Sequence, residues 1–168
     1  QNEAENYGTP ELFDRMISAY QKTADPGLKK DLCFAVTKFT DPELLTKVVN
    51  EFENTKVIKP QDLRAWYRGV LANPAGQQLA WDWLRNEWDW LEATVGGDME
   101  FATYITVTAG IFHTIDRLNE FKDFFTPKIN TPGLTREINM DIRVITSRVD
   151  LVDSEKASVN KAIESSTR

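Results

Sequence analysis

The most informative stretch of this chain is Ala80-Trp81-Asp82-Trp83-Leu84-Arg85-Asn86-Glu87-Trp88-Asp89-Trp90-Leu91, which holds four tryptophans. On a helix, at about 100° per residue, its apolar residues form two stripes. The members are Trp81, Leu84, Trp88, Leu91 and Val95 in one stripe, and Leu79, Trp83 and Trp90 in the other. Together the stripes cover roughly 200° of the circumference, whereas a surface helix usually shows a little over about 100°. We therefore predict one helix that neighbouring helices cover from two sides.

Prolines mark the start of further helices. Five of the seven follow a residue type that caps helix N-termini, at Thr9-Pro10, Asp25-Pro26, Asp41-Pro42, Asn73-Pro74 and Thr131-Pro132. The capping side chain accepts backbone N–H groups that have no partner in the helix, and proline at the first helical position loses no hydrogen bond. Apolar residues recur at helical spacing after these sites. We expect helices to begin at all five, and Lys59-Pro60 is a weaker example.

The segment from Tyr104 to Phe112 fits two secondary structures. Its residues alternate in polarity and several are β-branched, which is typical of a strand. Helical spacing also connects Phe101, Ile105, Thr108 and Phe112. A strand would find no partner strand elsewhere in the sequence, so we favour a helix.

The remaining pattern gives the fold class. Apolar residues from Leu134 to Val152 indicate a longer helix, and a last one is expected from Asp153 to about Glu164. The 168 residues then form a single all-α domain of about eight or nine helices. Short connections make sequential helices antiparallel neighbours. Because the helices are many and short, and one has two apolar sides, an irregular α-solenoid of antiparallel helix pairs fits better than a four-helix bundle.

Composition and charge exclude several classes of protein. A net charge of −6 argues against a nucleic-acid partner. No apolar run approaches the roughly 20 residues of a membrane span. The one cysteine, Cys33, falls on an apolar helix face, so we expect a buried structural thiol and a reducing, cytoplasmic location. The chain opens on polar residues without an initiator methionine, and we interpret it as a fragment of a larger protein.

Candidate catalytic groups are few. His113 is the only histidine, so neither a two-histidine zinc site nor a triad can be assembled without a partner. We expect it to be structural. Asp82, Glu87, Asp89 and Glu92 lie mainly on the solvent arc of the tryptophan helix, which favours a solvated face over an acid–base pair. We predict no catalytic, metal-ligating or cofactor-binding residue in this chain.

Two arginines are candidates for binding. Arg64 and Arg68 lie one helical turn apart, beside Trp66 and Tyr67. Guanidinium groups bind carboxylates through charge-assisted hydrogen bonds. A solvated helix face is the simpler interpretation, and contact with a carboxylate-bearing ligand is the alternative.

Several motifs occur in a fixed order along the chain. They are Gln61-Asp62, Asn73-Pro74-x-Gly76, Ala80-Trp81 followed by Asn86-x-Trp88-x-x-Leu91, and Phe112 through Leu118 to Phe124-Phe125. In this combination they resemble the C-terminal domain of the aminopeptidase N family of zinc metallopeptidases. The sequence from Lys59 to Pro74 is especially similar to that of family members from lactic-acid bacteria.

The resemblance implies a helical domain of armadillo or HEAT type that closes over the catalytic domain of a larger, cytoplasmic bacterial hydrolase. The zinc motif of the family, His-Glu-x-x-His, is absent here, so zinc is expected in the catalytic domain of the parent enzyme and the chain alone should not be an enzyme. The implied partners are that catalytic domain and peptide substrates. Arg64 and Arg68 are the candidates for contact with the peptide. The alternative is a freestanding α-solenoid scaffold that binds a partner protein.

Overall fold

The computed structural model describes residues 8–96 and 101–166, without the side chains at positions 153, 157, 160–162 and 164–166. In these ranges the chain forms α-helices, one 3₁₀-helix and no β-strand. The all-α prediction is therefore confirmed. The ambiguous segment around Tyr104 is helical, as favoured.

Nine α-helices lie within the described ranges, in agreement with the eight or nine expected. They are α1 (Pro10–Lys22), α2 (Pro26–Val36), α3 (Pro42–Asn50), α4 (Pro60–Leu71), α5 (Gln77–Asn86), α6 (Trp88–Val95), α7 (Thr103–Ile111), α8 (Ile115–Phe125) and α9 (Thr135–Ser166). The 3₁₀-helix Thr126–Lys128 follows α8. The chain divides into two units, Gln1–Phe101 and Ala102–Arg168. The extent of a single domain over residues 1–168, and its solenoid architecture, stay predictions.

Three of the five predicted proline caps form as expected, at the starts of α1, α2 and α3. In each, proline is the first helical residue and the preceding side chain accepts a backbone N–H. The bonds run from Leu12 N to Thr9 Oγ1 (3.3 Å), from Gly27 N to Asp25 Oδ1 (2.8 Å) and from Glu43 N to Asp41 Oδ1 (2.8 Å). Helix α4 also begins at its proline, but Lys59 gives no side-chain cap.

The predicted cap at Asn73-Pro74 is wrong, because the Asn73 side chain makes other bonds. Its Nδ2 donates to Thr37 O at 2.9 Å and to Phe39 O at 2.8 Å, which are backbone carbonyls in the connection between α2 and α3. Its Oδ1 accepts from Ala75 N at 3.0 Å. Helix α5 therefore begins later, at Gln77. The buried Asn73 side chain therefore links the segment before α5 to the connection between α2 and α3.

Two glycines allow close packing in the same region. A Cβ atom on Gly69 of α4 would lie 2.4 Å from Thr37 Oγ1, and one on Gly76 would lie 2.7 Å from Val70 Cγ1. Both distances are far below van der Waals contact, so neither site has room for a side chain. Asn73 and Gly76, two fixed positions of the motif Asn73-Pro74-x-Gly76, therefore have structural roles.

The tryptophan stretch forms two helices, so the prediction of one continuous helix is wrong. Helices α5 and α6 meet at Glu87, whose φ of −105° and ψ of 21° depart from helical geometry. Beyond this turn Trp88 packs on Phe101, with ring centroids 4.8 Å apart. The expected burial of both stripes is nevertheless confirmed for Trp81 and Trp83.

Side chains from the turn after α3 and from α4 cover Trp83 of α5. The Trp83 ring meets Phe52 edge-on at 4.9 Å and lies 6.0 Å from the ring of Tyr67 in α4. Its Nε1 donates to Glu53 Oε1 at 3.2 Å. Each indole buries about 150–250 Å². Trp83 therefore belongs to the core of the first unit and is no open platform for a ligand.

In the second unit α9 packs against α7 and α8. Its buried side consists of Ile138, Asp141, Ile145 and Val149, and Leu134 is buried directly before the helix. Helix α9 runs without a break to Ser166, so the separate last helix predicted from Asp153 is wrong. The sequence around Asp153 contains neither glycine nor proline to end a helix.

The start of α9 also differs from the expectation of a cap at Thr131-Pro132. The helix begins at Thr135, after Gly133, whose φ is 85°. Glycine adopts this left-handed conformation readily, and it turns the chain before the helix can start. Among the described residues no helix is both long enough and apolar enough to span a membrane.

Two polar side chains of α9 are bound to α7. Thr106 Oγ1 donates to Asp141 Oδ2 at 3.0 Å. Arg148 Nη1 donates to Ala109 O at 2.8 Å and to Phe112 O at 2.7 Å, which satisfies carbonyls at the C-terminal end of α7. Burial raises the pKa of Asp141, opposed by the Thr106 hydrogen bond.

Candidate functional site

A cleft of about 350 Å³ opens in the first unit, between the end of α1 and the first turns of α2 and α4. Ligand pockets typically have volumes of about 300–1,000 Å³. The lining residues are Tyr20, Ala24, Pro26, Lys29, Lys30, Cys33, Gln61, Asp62, Ala65 and Trp66. The cleft thus combines an aromatic floor with charged side chains, and it is the candidate site of this unit.

The charged side chains are arranged around the carboxylate of Asp62. Tyr20 Oη donates to Asp62 Oδ2 at 3.1 Å, and Lys29 Nζ lies 4.0 Å from the same oxygen. Lys29 Nζ also lies 5.0 Å from the centroid of the Tyr20 ring, a cation–π distance. Because Lys29 and Asp62 are partly exposed, their ion pair contributes at most about 1 kcal/mol. The group connects the first turns of α2 and α4 to α1.

Tyr20 and Trp66 form the aromatic floor. Their rings meet edge to face with centroids 4.9 Å apart. Burial raises the pKa of Tyr20 to about 12; the nearby Trp66 N–H lowers it in part, and the Asp62 charge raises it. Trp66 Nε1 is buried and has no acceptor at hydrogen-bond geometry among the described residues. Tyr20 therefore stays a neutral hydrogen-bond donor at ordinary pH.

Cys33 contributes a wall of the cleft but no reactive thiolate. Its side chain is buried. Burial and, to a smaller extent, the negative charge of Asp62 together raise the pKa of the thiol to about 12. Since the thiolate is the nucleophilic form of cysteine, this thiol is inert at neutral pH. The predicted buried, structural cysteine is confirmed.

The two arginines chosen from the sequence do not line this cleft. Arg64 is half-buried and Arg68 is exposed on α4, whereas α4 presents Gln61, Asp62, Ala65 and Trp66 to the cleft. The role of Arg64 and Arg68 in binding a peptide stays a prediction. The lysines at the start of α2 were not among the residues predicted from the sequence. Their only signal was the pair Lys29-Lys30, and no local pattern connects that pair to Asp62.

The other residues considered for chemistry have local contacts. His113 Nδ1 lies 2.9 Å from Ile111 O, beside the junction of α7 and α8. Asp82 forms an ion pair with Arg85 and accepts from Gln78 Nε2 at 2.8 Å. In residues 8–96 and 101–166 no group of three His, Cys, Asp or Glu side chains is arranged to hold a metal ion.

Comparison with known proteins identifies the family. Residues 2–147 match the family model of the ERAP1-like C-terminal domain. The chain belongs to this family. Over 162 residues the domain is 59% identical to aminopeptidase N of Lactobacillus helveticus and 56% identical to that of Lactobacillus delbrueckii subsp. lactis. Over 157 residues it is 21% identical to mouse glutamyl aminopeptidase.

These relatives are much longer than the domain. The match to the Lactobacillus helveticus enzyme covers 96% of this chain and 19% of the relative, and the match to the mouse enzyme covers 94% and 17%. The domain is thus similar to a part of an aminopeptidase. The resemblance inferred from the motifs around Asn73 and the tryptophans is confirmed.

Proposed function

We propose that this domain is a non-catalytic part of a zinc-dependent aminopeptidase that removes N-terminal residues from peptides. The observation that carries the proposal is the 59% identity to aminopeptidase N across nearly the whole chain but only 19% of the relative. Zinc is held by the catalytic domain elsewhere in the polypeptide, and that domain is the partner of this one. A cytoplasmic location belongs to the same proposal and is supported by the single, unpaired cysteine.

Within the intact enzyme, the domain encloses the substrate chamber and limits access to it. Arg64 and Arg68 of α4 contact the C-terminal side of the peptide, because guanidinium groups form charge-assisted hydrogen bonds with carboxylates. The absence of the His-Glu-x-x-His motif from the sequence supports an accessory role over a catalytic one.

The proposal is tested with the 168-residue chain and the intact polypeptide encoded by its gene. We expect metal-dependent hydrolysis of aminoacyl anilides by the intact polypeptide, and neither zinc binding nor hydrolysis by the chain alone. Turnover that depends on metal in the purified chain would contradict an accessory role. An open reading frame of this length without a zinc motif would instead support the freestanding scaffold.

The arginine contacts are tested by the double variant Arg64→Ala/Arg68→Ala in the intact polypeptide. Each lost hydrogen bond to a charged group costs about 1.5–3 kcal/mol. We therefore expect KM for longer peptides to rise at least tenfold while hydrolysis of a small anilide is unchanged. The matched control Lys56→Ala/Lys59→Ala removes two exposed cations of the same unit. Equal KM values for the two double variants would exclude this role.

A further inference from the structure

Helix α9 carries an exposed apolar stripe that no described element covers. Met140, Val144 and Leu151 are 41%, 41% and 57% exposed. Their spacing of four and seven residues places them on one side of the helix. Single exposed apolar side chains are normal on protein surfaces, whereas three on one side of a helix are a candidate contact surface. We call these three residues the α9 stripe.

The α9 stripe lies apart from the side of the helix that packs in the second unit. Ile138 and Ile145 are fully buried on the side that faces α7 and α8. At about 100° per residue, the stripe is rotated by about 130° from them around the helix axis. Between residues 138 and 151, helix α9 therefore has two apolar sides, and only one of them is covered.

We propose that the α9 stripe is the docking surface for an amphipathic helix from the part of the parent polypeptide outside these 168 residues. The inference rests on the proposed function. The amount of missing chain supports this occupant, because the domain accounts for only 19% of the length of the Lactobacillus helveticus relative. In helical arrays each helix pair buries its apolar face against the next pair. The exposed α9 stripe is the side on which the predicted array of helix pairs would continue.

Charge defines the chemistry of the docking helix. Arg136 and Arg143 are exposed and line a groove together with Met140 and Val144 of the stripe. A helix that fills this groove brings apolar residues onto the stripe and acidic residues beside the two arginines. Complementary charges of this kind fix the orientation of one helix on another.

The proposal is tested by thiol labelling of the intact polypeptide. Val144→Cys places a thiol in the stripe, and the control Asn119→Cys places one on an exposed polar position of α8. The native Cys33 is buried, and peptide mapping separates its signal and that of any other thiol. We expect maleimide to react at least tenfold more slowly at position 144 than at position 119. Equal rates at the two positions would overturn the proposal.

The 168-residue chain gives the second measurement, after circular dichroism has shown that both variants are helical. We expect equal rates at positions 144 and 119, independent of protein concentration. Protection of position 144 that grows with concentration would identify a second copy as the occupant and overturn the proposal. Peptidase activity is measured separately. An active polypeptide with a reactive position 144 rejects only the docking surface, and an inactive one with a protected position 144 rejects only the proposed enzyme function.

Discussion

Helices α5 and α9 both carry apolar residues on two sides, but only α5 is covered on both. In α5, Trp81 is fully buried and Trp83 is 6% exposed, whereas α9 buries Ile145 and leaves Val144 41% exposed. The apolar fraction of a helix circumference indicates how many neighbours the helix needs. Where a second packing helix is missing, the exposed apolar side of the helix is the surface on which we expect that second helix to bind.

The largest expected effect tests this difference directly. Trp81→Ala should lower the free energy of unfolding of the 168-residue chain by about 3–5 kcal/mol, because it removes a buried indole and leaves a cavity. Val144→Ala should change it by less than about 0.5 kcal/mol, as at other exposed positions. Urea denaturation measures both. Similar losses for the two variants would mean that the α9 stripe is already covered in this chain.

Asn73→Ala should have the next largest effect, about 2–3 kcal/mol. The substitution leaves the carbonyls of Thr37 and Phe39 without their donor, and an unsatisfied buried acceptor costs about 1–3 kcal/mol. Asn119→Ala removes an exposed amide and serves as the control, with a change near zero. A small loss of unfolding free energy in Asn73→Ala would show that water replaces the amide as the donor to the two carbonyls. Urea denaturation again provides the measurement.

Two glycine substitutions compare the packing of the two units. Gly69→Ala should destabilise the first unit by about 1–3 kcal/mol, because its Cβ would collide with Thr37. Gly110→Ala in α7 meets no atom within 4 Å and should stabilise the chain by about 0.5–1 kcal/mol through helix propensity. Thermal unfolding gives the sign of each change. Stabilisation by both would disprove the close contact of α2 and α4.

The smallest expected effect concerns the covered side of α9 and depends on pH. Burial raises the pKa of Asp141, so the folded state holds its proton to a higher pH than the unfolded state. The contribution of this proton to the free energy of unfolding is complete below the pKa that Asp141 has in the unfolded state. It is lost as pH rises through the pKa of the folded state. Asp141→Asn should therefore raise Tm at pH 7, with a gain that vanishes towards pH 3. A gain independent of pH would reject this explanation.

The sequence predicts most of the helices, and the exception at Asn73 has a tertiary cause. Caps at Thr9, Asp25 and Asp41 were predictable because capping depends on neighbouring residues only. Asn73 has the same local pattern, but two carbonyls more than 30 residues away take its side chain instead. The turn at Glu87 likewise has no local signal, since neither proline nor glycine is present there.

The candidate site was less predictable than the fold. The cleft depends on Lys29 and Asp62, which are 33 positions apart and on different helices. Periodicity assigns residues to a helix face but does not say which faces of two helices meet. Arg64 and Arg68 were chosen because they are neighbours on one helix. A pair that meets only after α2 has packed on α4 gives no such signal.

The hydrogen bonds of the Asn73 side chain also have a consequence for synthesis of the chain. Thr37 and Phe39 are translated 36 and 34 residues before the side chain that binds their carbonyls. At roughly 5–20 residues per second, this interval lasts about 2–7 s. During that time α3 is synthesised, and the connection between α2 and α3 lacks the amide that binds its carbonyls. The connection between α2 and α3 therefore cannot complete its native hydrogen bonds until residue 73 has been added to the nascent chain.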